Sequence, residues 1–219
     1  MAKPSAKRRQ KAYQRKAAKR KQKRISLGPR LTGSRALLHT AGGWPLHECL
    51  LAKEWQEPGA IIQILIARRS PIGQIAVGTF LVDLGCLGVK SAFAAFFDSQ
   101  RAYEQQLRNE MRARQAMVKA DLNLAAKIIR EAIAYAGELG FKPDPDYRDA
   151  MLVLGDADPE ACEVLIPLGG KDGKPFFVAG PYDNVDQIMS KLTRKLGPDG
   201  FHFLVPLSGD EEFFLEEFD

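Results

Sequence analysis

Two apolar stretches, AIIQILIARR at 60–69 and IAVGTFLVDL at 75–84, stand either side of the five residues SPIGQ. The first is enriched in β-branched residues like a buried strand, and runs of this length across so short a turn predict a β-hairpin. Everything else in the chain has to be arranged around that pair.

On the N-terminal side, WPLHECLLAKEWQ at 44–56 has Leu46, Cys49, Leu50 and Trp55 at spacings that predict a short helix, closed by Pro58-Gly59. On the C-terminal side the pattern predicts a helical middle from Ser91 to about Lys119, then a helix from Asp121 to Gly140. In the latter, Leu124, Ile128, Ile129, Ala132, Ile133, Ala136 and Leu139 fall on one face, with Asp121 placed to cap the start and Gly140 to close the end. Asp144-Pro145 fits an N-cap with proline at the first helical position, opening a shorter helix through Leu154 that Gly155 stops. After Asp158-Pro159, CEVLIPL at 162–168 and PFFVAG at 175–180 flank GGKDGK, whose Asp172-Gly173 signals a second hairpin. DNVDQIMSKLTRKLG at 183–197 reads as an amphipathic helix with Val185, Ile188, Met189 and Leu192 inward, and HFLVPL at 202–207 as a last strand. The expected fold is α+β: mainly antiparallel strands, two hairpins plus a C-terminal strand, packed with a central helical segment.

Charge divides the chain sharply. Through Arg35 there are 14 Lys and Arg, and the first acid is Glu48; beyond Arg35, 18 bases against 27 acids leave −9. Within 2–24, twelve cations are accompanied by one large apolar side chain, Tyr13, so the segment cannot offset its ordering entropy by burial and is expected to be disordered alone. Its Ala, Lys, Arg and Gln are good helix formers once a polyanion cancels their repulsion. The expected organisation is a basic arm over 1–35, with 25–43 a Gly- and Ser-containing connector, then one α+β domain over 36–207 and an acidic aromatic tail over 208–219. That tail carries six acids among Phe213, Phe214, Leu215 and Phe218.

The arm points to nucleic acid, with Lys3, Lys7, Arg8, Arg9, Lys11, Arg15, Lys16, Lys19, Arg20, Lys21, Lys23 and Arg24 as the phosphate-neutralising residues. Such contacts position a protein without reading sequence. In composition the arm resembles the extensions of ribosomal and ribosome-associated proteins, which favours RNA or ribosomal particles as the partner. Other readings of it are a targeting cluster at KRKQKR, a solubilising tail, or contact with an anionic membrane surface. The acidic tail could compete for the arm within the chain, or serve as a ligand for another protein.

In VDLGCLGVKSAF, 82–93, a strand ends on Asp83 and passes two glycines before Lys90 and Ser91. A Walker loop needs four residues between its glycines and lysine directly after the second. Gly85 and Gly88 are separated by two, and Val89 precedes Lys90, so at most Gly85, Gly88 and Lys90 could form an anion-binding nest where a strand meets a helix. The favoured reading of the corner is a structural turn, in which Asp83 accepts from the N–H groups that follow it. Cys86 has none of His39, His47 or His202 beside it in sequence to act as its base, and no two His or Cys lie at zinc spacing. Asp83, with Asp144, Asp146, Asp156 or Asp158, is the conceivable catalytic set of a metal-dependent nuclease or phosphate-ester hydrolase. Asp144 and Asp158, each before a proline, explain themselves as caps. The balance favours a binding role over an enzyme, with no cofactor and no bound metal expected.

Cys49, Cys86 and Cys162 are odd in number and far apart, which predicts reduced thiols and a cytoplasmic setting. The longest apolar neighbourhood, 74–97, contains Asp83, Lys90 and several glycines, so no membrane span is expected. The arm lacks acids as a transit peptide does, but without Leu, Ile, Val or Phe in 2–24 it has no apolar face, and import is not favoured.

The segments IARRSPIGQIAVGTFLVDLGCLGVKSAF and AAKIIREAIAYAGELGFKPDPDYRDAMLVLG together resemble an uncharacterised bacterial protein family. Its recurrent features are a strand ending in Val-Asp, a Cys-Leu-Gly-Val-Lys turn, and an Ile-Ile helix ending in Leu-Gly-Phe; GKPFFVAGPYDN fits the same pattern. The resemblance covers roughly 44–207 and leaves out the arm. It implies a bacterial source and one integrated domain, and it carries over no catalytic residue.

Overall fold

A computed structural model describes residues 35–205. The arm over 1–34 and the segment 206–219 lie outside the described residues, and with them the twelve arm cations, the acidic tail and any contact between the two.

The predicted hairpin is the centre of the fold. Strands β2 (Ile61–Arg69) and β3 (Ile75–Asp83) pair antiparallel in unbroken register from Ile61↔Asp83 to Arg69↔Ile75. The turn is held by Ser70 N–H donating to the Gln74 carbonyl at 2.9 Å and Gln74 N–H to the Ser70 hydroxyl at 3.0 Å. Around them stand α1 (Arg35–Ala41), β1 (Leu46–Ala52), β4 (Gly88–Phe97) and β5 (Met117–Lys119), giving a five-stranded antiparallel sheet in the order β4-β3-β2-β1-β5. The α+β expectation is met.

Three expectations for the residues before Ser99 are corrected. Within 44–56, LHECLLA is strand β1 and not a helix. Set between β2 and β5, it sends Cys49 and Leu51 to one face and Leu50 to the other, so a cluster of apolar residues that fits helical spacing is equally satisfied by a strand buried on both sides. The stretch from Ser91 begins as β4, because β3 offers a free edge along its whole length; the alanines of AFAAFF then pack as strand residues despite their helix propensity. Arg35–Ala41, read as arm end and connector, is helix α1, with Leu38 and Ala41 buried.

In the predicted helical middle, helix begins only after Ser99, whose hydroxyl accepts from Ala102 N–H at 3.2 Å. The helical stretch α2 over 100–114 consists of Gln100–Tyr103, a π-helical turn Glu104–Arg108, and Asn109–Arg114. It covers one face of the sheet, burying Tyr103, Leu107 and Met111 against Leu65, Ile75 and Val77. Helix α3 (Leu122–Glu138) covers the other face, with Ile128, Ile129 and Ala132 against Ile62, Ile64, Phe80 and Val82. Each fully buried Leu, Ile, Val, Phe or Met side chain among these contributes roughly 1.5–3 kcal/mol. Asp121 caps α3 as predicted, accepting from Asn123 and Leu124 N–H at 2.8 and 3.2 Å.

At Asp144 the side chain accepts from Asp146 N–H at 2.8 Å, so α4 (Tyr147–Ala150) starts later than predicted and tightens into a 3-10 turn, Met151–Leu154. The second hairpin does not form. A turn does close at 170–174, but 162–168 is not a strand: Lys127 Nζ donates to the Cys162 carbonyl, and Gly169 N–H donates to the Leu84 carbonyl. Strand β6 (Phe176–Val178) pairs parallel with β7 (His202–Leu204), and α5 (Val185–Leu196) makes the crossover that parallel pairing requires. Val185, Ile188, Met189 and Leu192 pack inward as predicted, around Cys86, Leu87, Phe177 and Phe201. Among the described residues no helix is long and apolar enough to cross a membrane.

Candidate functional site at the Asp83 corner

Asp83 ends β3, and the chain turns straight into β4, so the corner joins two antiparallel strands and Lys90 lies on a strand rather than at a helix start. The Asp83 side chain is 1 % exposed. Its Oδ1 accepts from Cys86 N–H at 2.9 Å and Leu87 N–H at 3.3 Å. The N–H groups that could have surrounded a phosphate are thus turned onto a carboxylate of the loop itself.

The two glycines have separate reasons. A Cβ on Gly85 would run into the carbonyl oxygen of Phe176, whose N–H in turn donates to the Gly85 carbonyl at 3.0 Å. Gly88 has φ +66°, and a Cβ there would lie 2.8 Å from both the Ala132 carbonyl oxygen and the Ala136 methyl. Gly85 therefore admits β6, and Gly88 admits α3.

Lys90 Nζ donates to Asp183 Oδ2 at 2.6 Å and stands 3.9 Å from Asp83 Oδ2. Gly180 N–H also donates to Asp183 Oδ2, at 2.8 Å. Gly85, Gly88 and Lys90 are thus brought together, but the cation is already set between two carboxylates. Burial pushes the Asp83 carboxyl up, against the opposing pull of Lys90 and the loop N–H groups. Its Oδ2 and the Tyr135 hydroxyl are buried without a hydrogen-bond partner, and burial raises that phenol to about 12. Cys86 is fully buried and its thiol is pushed up by burial and then by Asp83; Cys49 is pushed up to about 12, by burial first. Both thiols are held in the form that is the poorer nucleophile.

Of the other carboxylates of the conceivable hydrolase set, Asp144 and Asp158 act in a turn and a cap, and Asp156 pairs with Arg68. Asp144 accepts from Asp146 N–H, and Asp158 accepts from Glu160 N–H at 3.0 Å. Asp156 Oδ1 accepts from Arg68 at 2.5 Å. Among the described residues no three His, Cys, Asp or Glu side chains stand together as a metal-ion group.

Two polar centres were not singled out in the sequence. Arg68, 2 % exposed, donates at 2.7 Å to the carbonyls of Val153, Trp44 and Leu154 as well as to Asp156. It ties β2 to the 3-10 turn and to the junction of α1 with β1. Beside it opens a cleft of about 440 Å³ whose walls include Trp44, Pro45, Leu46 and Leu122. On the opposite face, Glu48 follows the bulge in β1 and accepts from the Tyr103 hydroxyl at 2.5 Å, with Arg108 Nε 3.1 Å away. The sequence signal for both was a charged residue in an otherwise apolar run.

No protein-family model matches the chain, and comparison with curated proteins and with solved structures returns no match.

Proposed function

We propose that the protein is a nucleic-acid-binding accessory protein that engages RNA or ribosomal particles through residues 3–24, with the folded body as the part the arm carries to that partner. The observation that carries this reading is the separation of charge. Residues 1–34 hold 13 bases and no acid, 35–205 hold 19 bases against 21 acids, and 206–219 hold six acids alone. The body is close to balanced, so the cationic field that would attract a polyphosphate comes from the arm.

Titration of the full chain with a structureless RNA at several salt concentrations tests the proposal. With about eight phosphates engaged, log K should fall with log salt at a slope of about −5 to −6, and a chain lacking 1–34 should lose that slope. The native protein should also travel with ribosomal particles through a gradient at low salt and leave them at high salt. Undiminished RNA binding by the shortened chain would overturn the assignment to the arm.

A further inference from the structure

The cleft beside Arg68 is an opening at the foot of the arm, since α1 leads directly into Gly42, Gly43 and Trp44 at its rim. Its walls are aromatic and aliphatic, and Leu46 there is 43 % exposed. Its charged groups are unequal. Arg68 is buried and spends four hydrogen bonds on the protein, three of them to main-chain carbonyls. Asp156 is fixed by one of those bonds through Oδ1, while its side chain remains 82 % exposed. The hydrogen bond from Arg68 also holds its carboxyl below the ordinary range, so it stays ionised.

A cleft with apolar walls, a fixed anionic acceptor and a cation already committed rejects phosphate and suits a flat group with N–H donors on one edge. Among the parts of a nucleic acid that is an unpaired base, recognised by stacking and by its Watson–Crick edge. Guanine alone presents a ring N–H and an amino group side by side, the pair that a carboxylate can accept together. Reach is sufficient: the eleven residues from Arg24 to Arg35 span at most about 40 Å. A strand neutralised by the arm therefore has its bases at high effective concentration near the cleft.

We infer that this cleft takes an unpaired base, guanine in preference, from the strand that the arm neutralises, with Trp44 and Leu46 against the base and Asp156 accepting from its edge. The inference rests on the nucleic-acid reading above and adds to it a site in the body and a base preference that the arm cannot supply.

The test uses the full chain and two fluorescent 12-nucleotide RNAs, all-uridine and the same oligomer with one central guanosine, followed by anisotropy. The wild type should bind the guanosine oligomer about tenfold more tightly, the size of one favourable base contact. Asp156→Asn should bring that affinity down to the all-uridine level, and Trp44→Leu should lower it by about tenfold. Because Trp44 also packs edge-on against Phe96 at 6.1 Å, Asp156→Asn, whose amide oxygen can still accept from Arg68, is the variant that decides. Equal binding of the two RNAs by the wild type, or a guanosine preference untouched by Asp156→Asn, overturns the site while salt-dependent binding through the arm persists. If the full chain binds neither RNA, the arm assignment falls and the site falls with it.

Discussion

Asp83 shows what a single buried charge does to this fold. It supplies the acceptor for two N–H groups of a tight corner and half of the negative environment of Lys90. Asp83→Ala should cost about 2–4 kcal/mol in urea unfolding, because two buried donors lose their partner and Lys90 loses a neighbouring carboxylate. Asp83→Asn keeps an acceptor and should cost less. The pair also predicts a pH signature. Burial raises the folded carboxyl above its ordinary 3.8, so over the interval above that value the folded state holds a proton that the unfolded state has lost. The stability contributed by Asp83 is full below that interval and declines as pH rises through it. Unfolding free energies measured from about pH 4 upward should therefore show the wild type losing ground to Asp83→Asn. The local half of this site was legible in the sequence, since an aspartate three and four residues before glycine-flanked N–H groups is a familiar acceptor. Asp183 was not, because it lies 93 residues from Lys90 and nothing in local pattern joins them.

Arg68 belongs to the same scale. Replacing it by Met would leave three carbonyls without their donor and should cost roughly 3 kcal/mol or more, measured by denaturant unfolding. Arg68→Lys should recover little, because one ammonium cannot span the directions that a guanidinium fork reaches.

At the scale of elements, the corner between β3 and β4 is a hook. Leu84 and Gly85 offer their carbonyls to Gly169 and Phe176, while Cys86 and Leu87 enter the apolar cluster that holds Phe177 of β6, Leu192 of α5 and Phe201. Gly85→Ala should separate these layers: the clash is with backbone, so β6 must move. Hydrogen exchange at Phe176 N–H should accelerate well beyond that in the β2–β3 pair, with a stability loss of about 2 kcal/mol or more. If exchange rises equally in both places, the hook does not act locally. Elements with their own start and stop signals were readable: the β2–β3 hairpin from its turn, α3 from Asp121 and its apolar stripe, α5 from its spacing. Those that depend on a neighbour were not. LHECLLA fits both periods until two strands flank it, and PFFVAG carries no mark showing that its partner is β7 across α5 instead of the residues just before it.

At the scale of the whole molecule, a nearly balanced body stands between a cationic and an anionic end. If the ends compete, deleting 208–219 should raise RNA affinity and steepen the salt dependence; unchanged affinity and slope would dismiss that contact. The sequence by itself determined the charge layout, the α+β class, the central hairpin and the capped helix α3, because composition, turn residues and periodicity act over a few neighbouring positions. Only the tertiary structure decided that VDLGCLGVK is a junction between layers, that Lys90 is shared by Asp83 and Asp183, and that Arg68 and Asp156 meet at the rim of a cleft. Those facts depend on which distant surfaces bury one another. A strand edge or a buried charge has no local preference among partners until packing brings one within hydrogen-bonding distance.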